Sequence, residues 1–371
     1  MTKIVRLSVG VLAYEPEVQW QMPGAKQHAT FVRIRTESGI NGVSVTWNDS
    51  PSPVAMGLTI GAWFAEALVG RDVRSHPAGF ERDLKRAAWN GTSPVAVAAM
   101  DNALWDARAK AEGLPLHALL GTRHEALPVY AGSRAELLMK SIDEVVAHVI
   151  EARDSGHRAY KLHLWGGWRE DIAGCERVRR ALGDDYALMF DPMERYSLGE
   201  AVTVGDALTR LGFLWFEDPI SCEQRQAYAW LAARLRIPLV AADALQWSFN
   251  DYAEAARSQS PMLLRLDVGR QGVTFCRRVV QLANDCGVAS EIHAFGPEAN
   301  SVAGLHVALA QKPLSYYEAC FPRRDFEIDG IEVPTRMNAD GRVPAPTAPG
   351  LGLQIDWPHL ERKIDWIVGE P

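Results

Sequence analysis

The sequence predicts an α/β barrel preceded by a smaller α+β unit, and three observations carry that prediction. Eight short strand-like runs follow residue 127: PVYAG (128–132), RAYKLHLW (158–165), ALMFDP (187–192), FLWFEDP (213–219), IPLVAAD (237–243), MLLRLD (262–267), ASEIHAF (289–295) and SYYEAC (315–320). The first seven are each followed by a helix-like segment, several of them closed by a glycine such as Gly156, Gly183, Gly212 or Gly287. Most of the runs are apolar enough to be covered on both faces, as strands of a parallel sheet are. Strand, helix, strand at this spacing gives right-handed crossovers and parallel neighbours, and eight such strands in about 200 residues are what a barrel requires.

The first 125 residues have a different texture. Val5 to Tyr14 and Thr30 to Arg35 alternate like strands, and a third runs from Ile40 through Thr46, with turn signals at Ser38-Gly39 and Asn41-Gly42. Two loops without periodicity, Glu15 to His28 and Trp47 to Pro53, have the length and composition of a lid or binding loop. Ser93-Pro94 opens a helix that places Val97, Met100, Ala103, Leu104 and Ala107 on one face and stops before Gly113. After Cys320 no eighth amphipathic helix follows, and PGLGLQIDW (349–357) is expected to return to the first unit. The expected division is therefore residues 1–125, completed by about 335–371, and a barrel over 126–334.

Composition narrows the function classes. The chain has 371 residues, 47% hydrophobic and 23% charged, with net charge −7, which gives no surface suited to nucleic acid. Its five cysteines are scattered and form no CxxC, the usage of reduced cytoplasmic thiols. The start, MTKIVRLSVGVLAY, lacks the apolar stretch of a secretion signal, and no run of 18 apolar residues occurs, so a soluble cytoplasmic protein without a membrane partner is expected.

The chemistry gathers where the strand runs end. Asp191, Glu217 and Asp243 close three consecutive runs at a spacing of 26 residues. Parallel strands bring their C-terminal ends to one rim, so these carboxylates meet there and need a shared cation. Oxygen donors without Cys or His suit Mg²⁺ better than Zn²⁺. Lys161 and His163, two apart on the second run, face the same side. Asp267 ends the sixth run, His293 lies on the seventh and Glu318 on the eighth. Each has an ordinary explanation alone: Asp267 could cap the next helix, and either histidine could be a satisfied core residue. Together, Asp267 and His293 on adjacent strands make a pair in which the carboxylate fixes the imidazole tautomer.

This ordered set resembles the mandelate racemase-like branch of the enolase superfamily, as do AMDNALWDARAKAEGLPLHALLG (99–121), WFEDP (215–219), DVGRQG (267–272) and PGLG (349–352). The resemblance implies an α+β capping domain on a modified TIM barrel, (β/α)7β, with Mg²⁺ held by Asp191, Glu217 and Asp243. It implies that Lys161 polarises a substrate carboxylate, that Glu318 hydrogen-bonds its opposite side, and that His293, oriented by Asp267, is a general acid or base. A homo-oligomer acting on a small carboxylate, a sugar acid foremost, is also implied. The implied reaction is abstraction of the proton α to a carboxylate through an ene-diolate. His163 stands where a second lysine is common in this branch. Racemisation needs two bases and a syn dehydration one, which tilts the expectation toward an acid-sugar dehydratase. An epimerase or cycloisomerase using both histidines, and a catalytically inactive barrel with a binding role, are the alternatives. Trp20, Met22, His28, Trp47 and Asn48 in the two loops are the candidates for reading the distal end of the substrate.

Overall fold

The computed structural model describes residues 2–14, 27–47, 53–80, 86, 94–133, 136, 139, 141–164, 166–221, 223–241, 248–257, 262–312 and 316–369. Strands β1 (Ile4–Tyr14), β2 (Gln27–Thr36) and β3 (Asn41–Trp47) form the antiparallel sheet that the alternation implied. Along β2, Val32 and Ile34 turn toward one core and Ala29 and Phe31 toward another, as a period of two requires. The first core is filled by helices α1 (Pro53–Leu68) and α2 (Pro94–Ala111), through Ile60, Phe64, Met100 and Leu104.

Helix α2 starts at Pro94, as read from the sequence, and buries Met100, Ala103, Leu104 and Ala107. Its other face is also buried, and it is polar. Asn102 donates to the Val268 carbonyl at 2.9 Å and accepts from the Val273 amide at 3.1 Å. Asp101 accepts from the Thr274 amide and hydroxyl at 2.8 and 2.5 Å. Asp106, fully buried, accepts from the amides of Val43 and Leu351 and from Lys110 Nζ at 2.7–2.8 Å. The PGLG stretch closes on this carboxylate: Gly350 has φ 74°, and a Cβ there would lie 2.2 Å from Asp106 Oδ1.

The barrel strands are β4 (Ala126–Gly132), β5 (Ala159–Leu162), β6 (Ala187–Phe190), β7 (Phe216–Glu217), β8 (Leu239–Ala241), β9 (Met262–Asp267), β10 (Ser290–His293) and β11 (Tyr317–Cys320). Each falls within or overlaps a run named from the sequence. Seven helices cross between them: α3 (Ile142–Asp154), α4 (Trp168–Leu182), α5 (Leu198–Arg210), α6 (Arg225–Arg234), α7 (Phe249–Arg257), α8 (Val273–Cys286) and α9 (Glu298–Leu309). All eight strands are parallel in the order β10-β9-β8-β7-β6-β5-β4-β11, a curled sheet of the modified TIM-barrel kind. Among the described residues no ladder joins β10 to β11. Side chains bridge that seam, with the Ala294 amide donating to Glu318 at 2.9 Å and Cys320 Sγ lying 3.5 Å from the Ala294 carbonyl.

After β11 comes only a short 3-10 turn, Arg323–Phe326, with no α-helix before the chain leaves the barrel. Strand β12 (Ile331–Glu332) pairs with β14 (Gln354–Ile355), while β13 (Arg342–Pro344) lies antiparallel on β4. Helix α10 (Trp357–Lys363) leads into β15 (Ile364–Val368), which pairs with β1 and completes the first sheet. Among the described residues no helix is long and apolar enough to cross a membrane.

Asp106→Ala would leave two buried amides and Lys110 without their acceptor. The expected cost is about 3 kcal/mol of unfolding free energy, from the desolvation of those donors, read by urea denaturation. A change below about 0.5 kcal/mol would mean that water replaces the carboxylate.

Candidate active site

The C-terminal ends of the strands carry the polar groups of the lumen. Lys161, on β5, is 1% exposed and lies 2.9 Å from Glu217 Oε1, 3.1 Å from Glu318 Oε1 and 3.8 Å from Asp191 Oδ2. His163, just past the end of β5, shares that face as the two-residue spacing required, and its Nε2 is 3.3 Å from Asp191 Oδ2. Local backbone turns aim the carboxylates. Asp191 Oδ1 accepts from the Met193 amide at 2.7 Å, and Met193 and Glu194 then take φ of 55° and 63° to reverse the chain. Asp218 takes φ 33°, so Glu217 stays in the lumen while Asp218 accepts from the Tyr228 hydroxyl at 3.1 Å.

Asp267 and His293 are direct register partners on β9 and β10. Asp267 Oδ2 lies 2.9 Å from His293 Nδ1, and its Oδ1 caps the next helical turn by accepting from the Arg270 amide at 3.1 Å. Asp267 thus caps the turn with one oxygen and meets the imidazole with the other. With Nδ1 engaged by the carboxylate, proton transfer at this histidine falls to Nε2.

Arg265 was not singled out in the sequence, although it lies two residues before Asp267 and so on the same face of β9. It is fully buried, 2.6 Å from Glu318 Oε2 and 3.2 Å from Glu217 Oε1, and donates to the Tyr130 hydroxyl at 2.8 Å. Trp215 Nε1 holds the other oxygen of Glu217 at 3.0 Å. Burial alone would raise the Glu318 carboxyl, but Lys161, Arg265 and His293 bring it well below the usual carboxylate range. Burial and Arg265 act to lower the Lys161 pKa, and Glu217, Glu318 and Asp191 outweigh them and hold it above the ordinary lysine value. The surrounding carboxylates thus favour the ammonium form of Lys161, and the cations favour the carboxylate form of Glu318. Glu318 accepts from Arg265 and the Ala294 amide and pairs with Lys161 at 3.1 Å.

The loop residues divide. His28 belongs to β2, paired with Ala13, because the β1–β2 ladder continues to Tyr14 and Gln27; its assignment to a loop is corrected. Trp47 is the last residue of β3. It is 7% exposed and edge-on to Phe295 at 5.5 Å, and its backbone amide donates to Asn300 Oδ1 at 3.3 Å. Phe295 in turn stacks near His293 at 6.3 Å, so Trp47 ties the first sheet to the strand bearing the dyad. Trp20, Met22, Asn48 and Asp243 lie outside the described residues.

Asp191 and Glu217 are hard oxygen donors at the ends of neighbouring strands, and Lys161 Nζ stands between them, so both already face one cation. That set fits Mg²⁺. Among the described residues no three His, Cys, Asp or Glu side chains are arranged to hold a metal on their own.

Arg265→Met should cost about 3–5 kcal/mol of stability, because Glu217 and Glu318 would keep buried charge with one cation fewer. Urea denaturation reads the loss, and an unchanged midpoint would show that Lys161 neutralises both acids alone.

The comparisons with known proteins agree with this geometry. Residues 9–121 match the mandelate racemase / muconate lactonizing enzyme N-terminal domain, and residues 144–359 match the enolase C-terminal domain-like family. A D-galactarolactone cycloisomerase of Agrobacterium fabrum is 28% identical over 344 residues, 88% of each chain. A D-galactonate dehydratase family member of Chromohalobacter salexigens is 27% identical over 368 residues, 88% of this chain and 89% of that one. A D-glucarate dehydratase from Agrobacterium tumefaciens, solved with magnesium, superposes at TM-score 0.87 with 25% identity over 98% of this chain and 99% of its own. The relatives include dehydratases, cycloisomerases and epimerases. With both halves matched and the fold shared, this chain belongs to the mandelate racemase / muconate lactonizing enzyme branch of the enolase superfamily.

Proposed function

We propose that this protein is a magnesium-dependent enzyme that removes the proton α to a carboxylate and dehydrates a sugar acid to a 2-keto-3-deoxy acid. The observation that carries the reading is the His293–Asp267 pair, bonded at 2.9 Å and five strands from Lys161 in the sheet order. Asp191, Glu217 and Asp243 would hold the magnesium, whose charge stabilises the negative charge that develops on the substrate carboxylate. Lys161, kept as an ammonium by its carboxylates, adds a fixed positive charge toward the same oxygens. Glu318 and Arg265 position Lys161 and Glu217 from below.

In this reading His293 takes the α-proton at Nε2 and becomes an imidazolium, which Asp267 stabilises. The same nitrogen then gives that proton to the departing β-hydroxyl, so water leaves and an enol remains. The enol tautomerises to the 2-keto acid, which leaves the protein unchanged. A single acid–base residue on one face suffices for such a syn elimination. The acid-sugar class is supported by relatives named for galactarolactone, galactonate and glucarate. A second reading, epimerase or cycloisomerase, is favoured by a specific observation: His163 is another buried imidazole in the lumen.

His293→Asn should abolish both α-proton exchange in D₂O and keto-acid formation over a panel of sugar acids. His163→Ala should lower the rate about ten- to a hundredfold without removing exchange, the usual effect of a supporting group. Full activity in His293→Asn would overturn the assignment. Loss of exchange from one face only, in each histidine variant, would replace dehydration with the two-base reading. Asp191→Asn should abolish Mg²⁺ binding by calorimetry while leaving the circular dichroism of the fold intact.

A further inference from the structure

Glu136 follows β4 in the chain and is 5% exposed. Its Oε1 accepts a hydrogen bond from the Tyr160 hydroxyl at 2.6 Å. Its Oε2 has no hydrogen-bond partner among the described residues, and neither has Nδ1 of His163. A buried polar atom left unmet costs about 1–3 kcal/mol, so two of them on neighbouring groups call for an explanation. One is an acceptor and the other can donate, and the charges of the two side chains act on each other. Tyr160 lies on β5 and His163 just past its end, and β5 pairs with β4, so the same two strands place all three groups.

We propose that Glu136 is a positioning residue for His163, its Oε2 receiving the imidazole Nδ1–H directly or through one water and so fixing the ring with Nε2 toward Asp191. The arrangement repeats that of Asp267 and His293, assembled from a loop and a strand end instead of two strands. Tyr160 anchors the other oxygen of the carboxylate and prevents it from turning away. Glu136 also lines a cleft of about 650 Å³ with Ser141, Gly166 and Arg177. Burial pushes the Glu136 carboxyl up to about 7, with His163 and the Tyr160 hydrogen bond working against the rise. At pH 8 it is therefore an ionised acceptor. The inference rests on the proposed function in placing His163 at the working lumen. It also accounts for how a histidine serves where lysine is common in the family: a planar ring needs a second contact to hold its direction, and a flexible ammonium does not.

The test has one arm that needs no substrate. In the full chain with ¹⁵N-labelled histidine at pH 8, the Nδ1–H resonance of His163 is assigned by its loss in His163→Asn. Glu136→Ala should abolish that hydrogen-bonded resonance, and Glu136→Gln should retain it through the amide oxygen. The His293 resonance should be unchanged in both and so reports an intact dyad. On a sugar acid that the enzyme turns over, Glu136→Ala should lower kcat about ten- to a hundredfold with little change in KM. Combined with His163→Ala it should add nothing further, because it acts through that ring. A His163 resonance unmoved in Glu136→Ala, or effects that multiply in the double variant, would overturn the proposal and leave Glu136 as a partner of Tyr160 and Ser133. Failure of the dehydratase reading would show only in the kinetic arm.

Discussion

Charge neutralisation inside the barrel is the constraint on which the rest of this structure depends. Lys161 and Arg265 are two cations with almost no solvent contact, and Glu217, Glu318 and Asp191 are the carboxylates around them. In a low-dielectric interior neither sign is tolerable without the other, and removal of one partner leaves a buried charge. The five side chains come from β5, β6, β7, β9 and β11. Their mutual requirement therefore fixes how those strand ends stand relative to one another. Any site built at the rim inherits that geometry without having to organise it on substrate binding.

The first sheet and the barrel are joined by the same kind of interaction. Helix α2 presents apolar side chains to its own sheet and buried polar ones to the barrel, where Asp101, Asn102 and Asp106 meet backbone amides, a carbonyl and a hydroxyl. Such bonds are directional, so they specify one seating of the helix where an apolar interface alone would allow several. Trp47 and Phe295 extend the contact to the strand that carries His293. The first sheet is thus connected to the dyad through two aromatic rings.

The two histidines of the lumen are built differently. His293 receives its carboxylate from the neighbouring strand at matched register, a contact that parallel pairing supplies at no extra structural cost. His163 has Asp191 on one nitrogen and an unmet Nδ1 on the other. That asymmetry is the physical basis for assigning proton transfer to His293, and for looking to Glu136 for the remaining support of His163.

Much of this was legible in the sequence, because parallel strands covered on both faces read as short apolar runs and their ends are marked by the residues that follow. The eight strands, the seven crossovers, the convergence of Asp191 and Glu217 and the pairing of Asp267 with His293 all follow from spacing and parallel order. The return of the chain to the first sheet was legible from PGLG, where the close approach to Asp106 leaves room only for glycine. The tertiary structure alone decided the rest. Arg265 carries no local sign of being a lumen cation, since a lone arginine in a strand usually reaches solvent, and only the carboxylates of other strands make its burial possible. Glu136 lies in a stretch of sequence without periodicity, and its hydrogen-bond partner Tyr160 is 24 residues further along the chain. His28 became a strand residue because the ladder runs further than the turn residues suggested. The sequence by itself determined which residues end strands, since periodicity and turn chemistry are local. Which charges neutralise which was decided across the lumen, because a Coulomb interaction depends on distances that only the closed sheet sets.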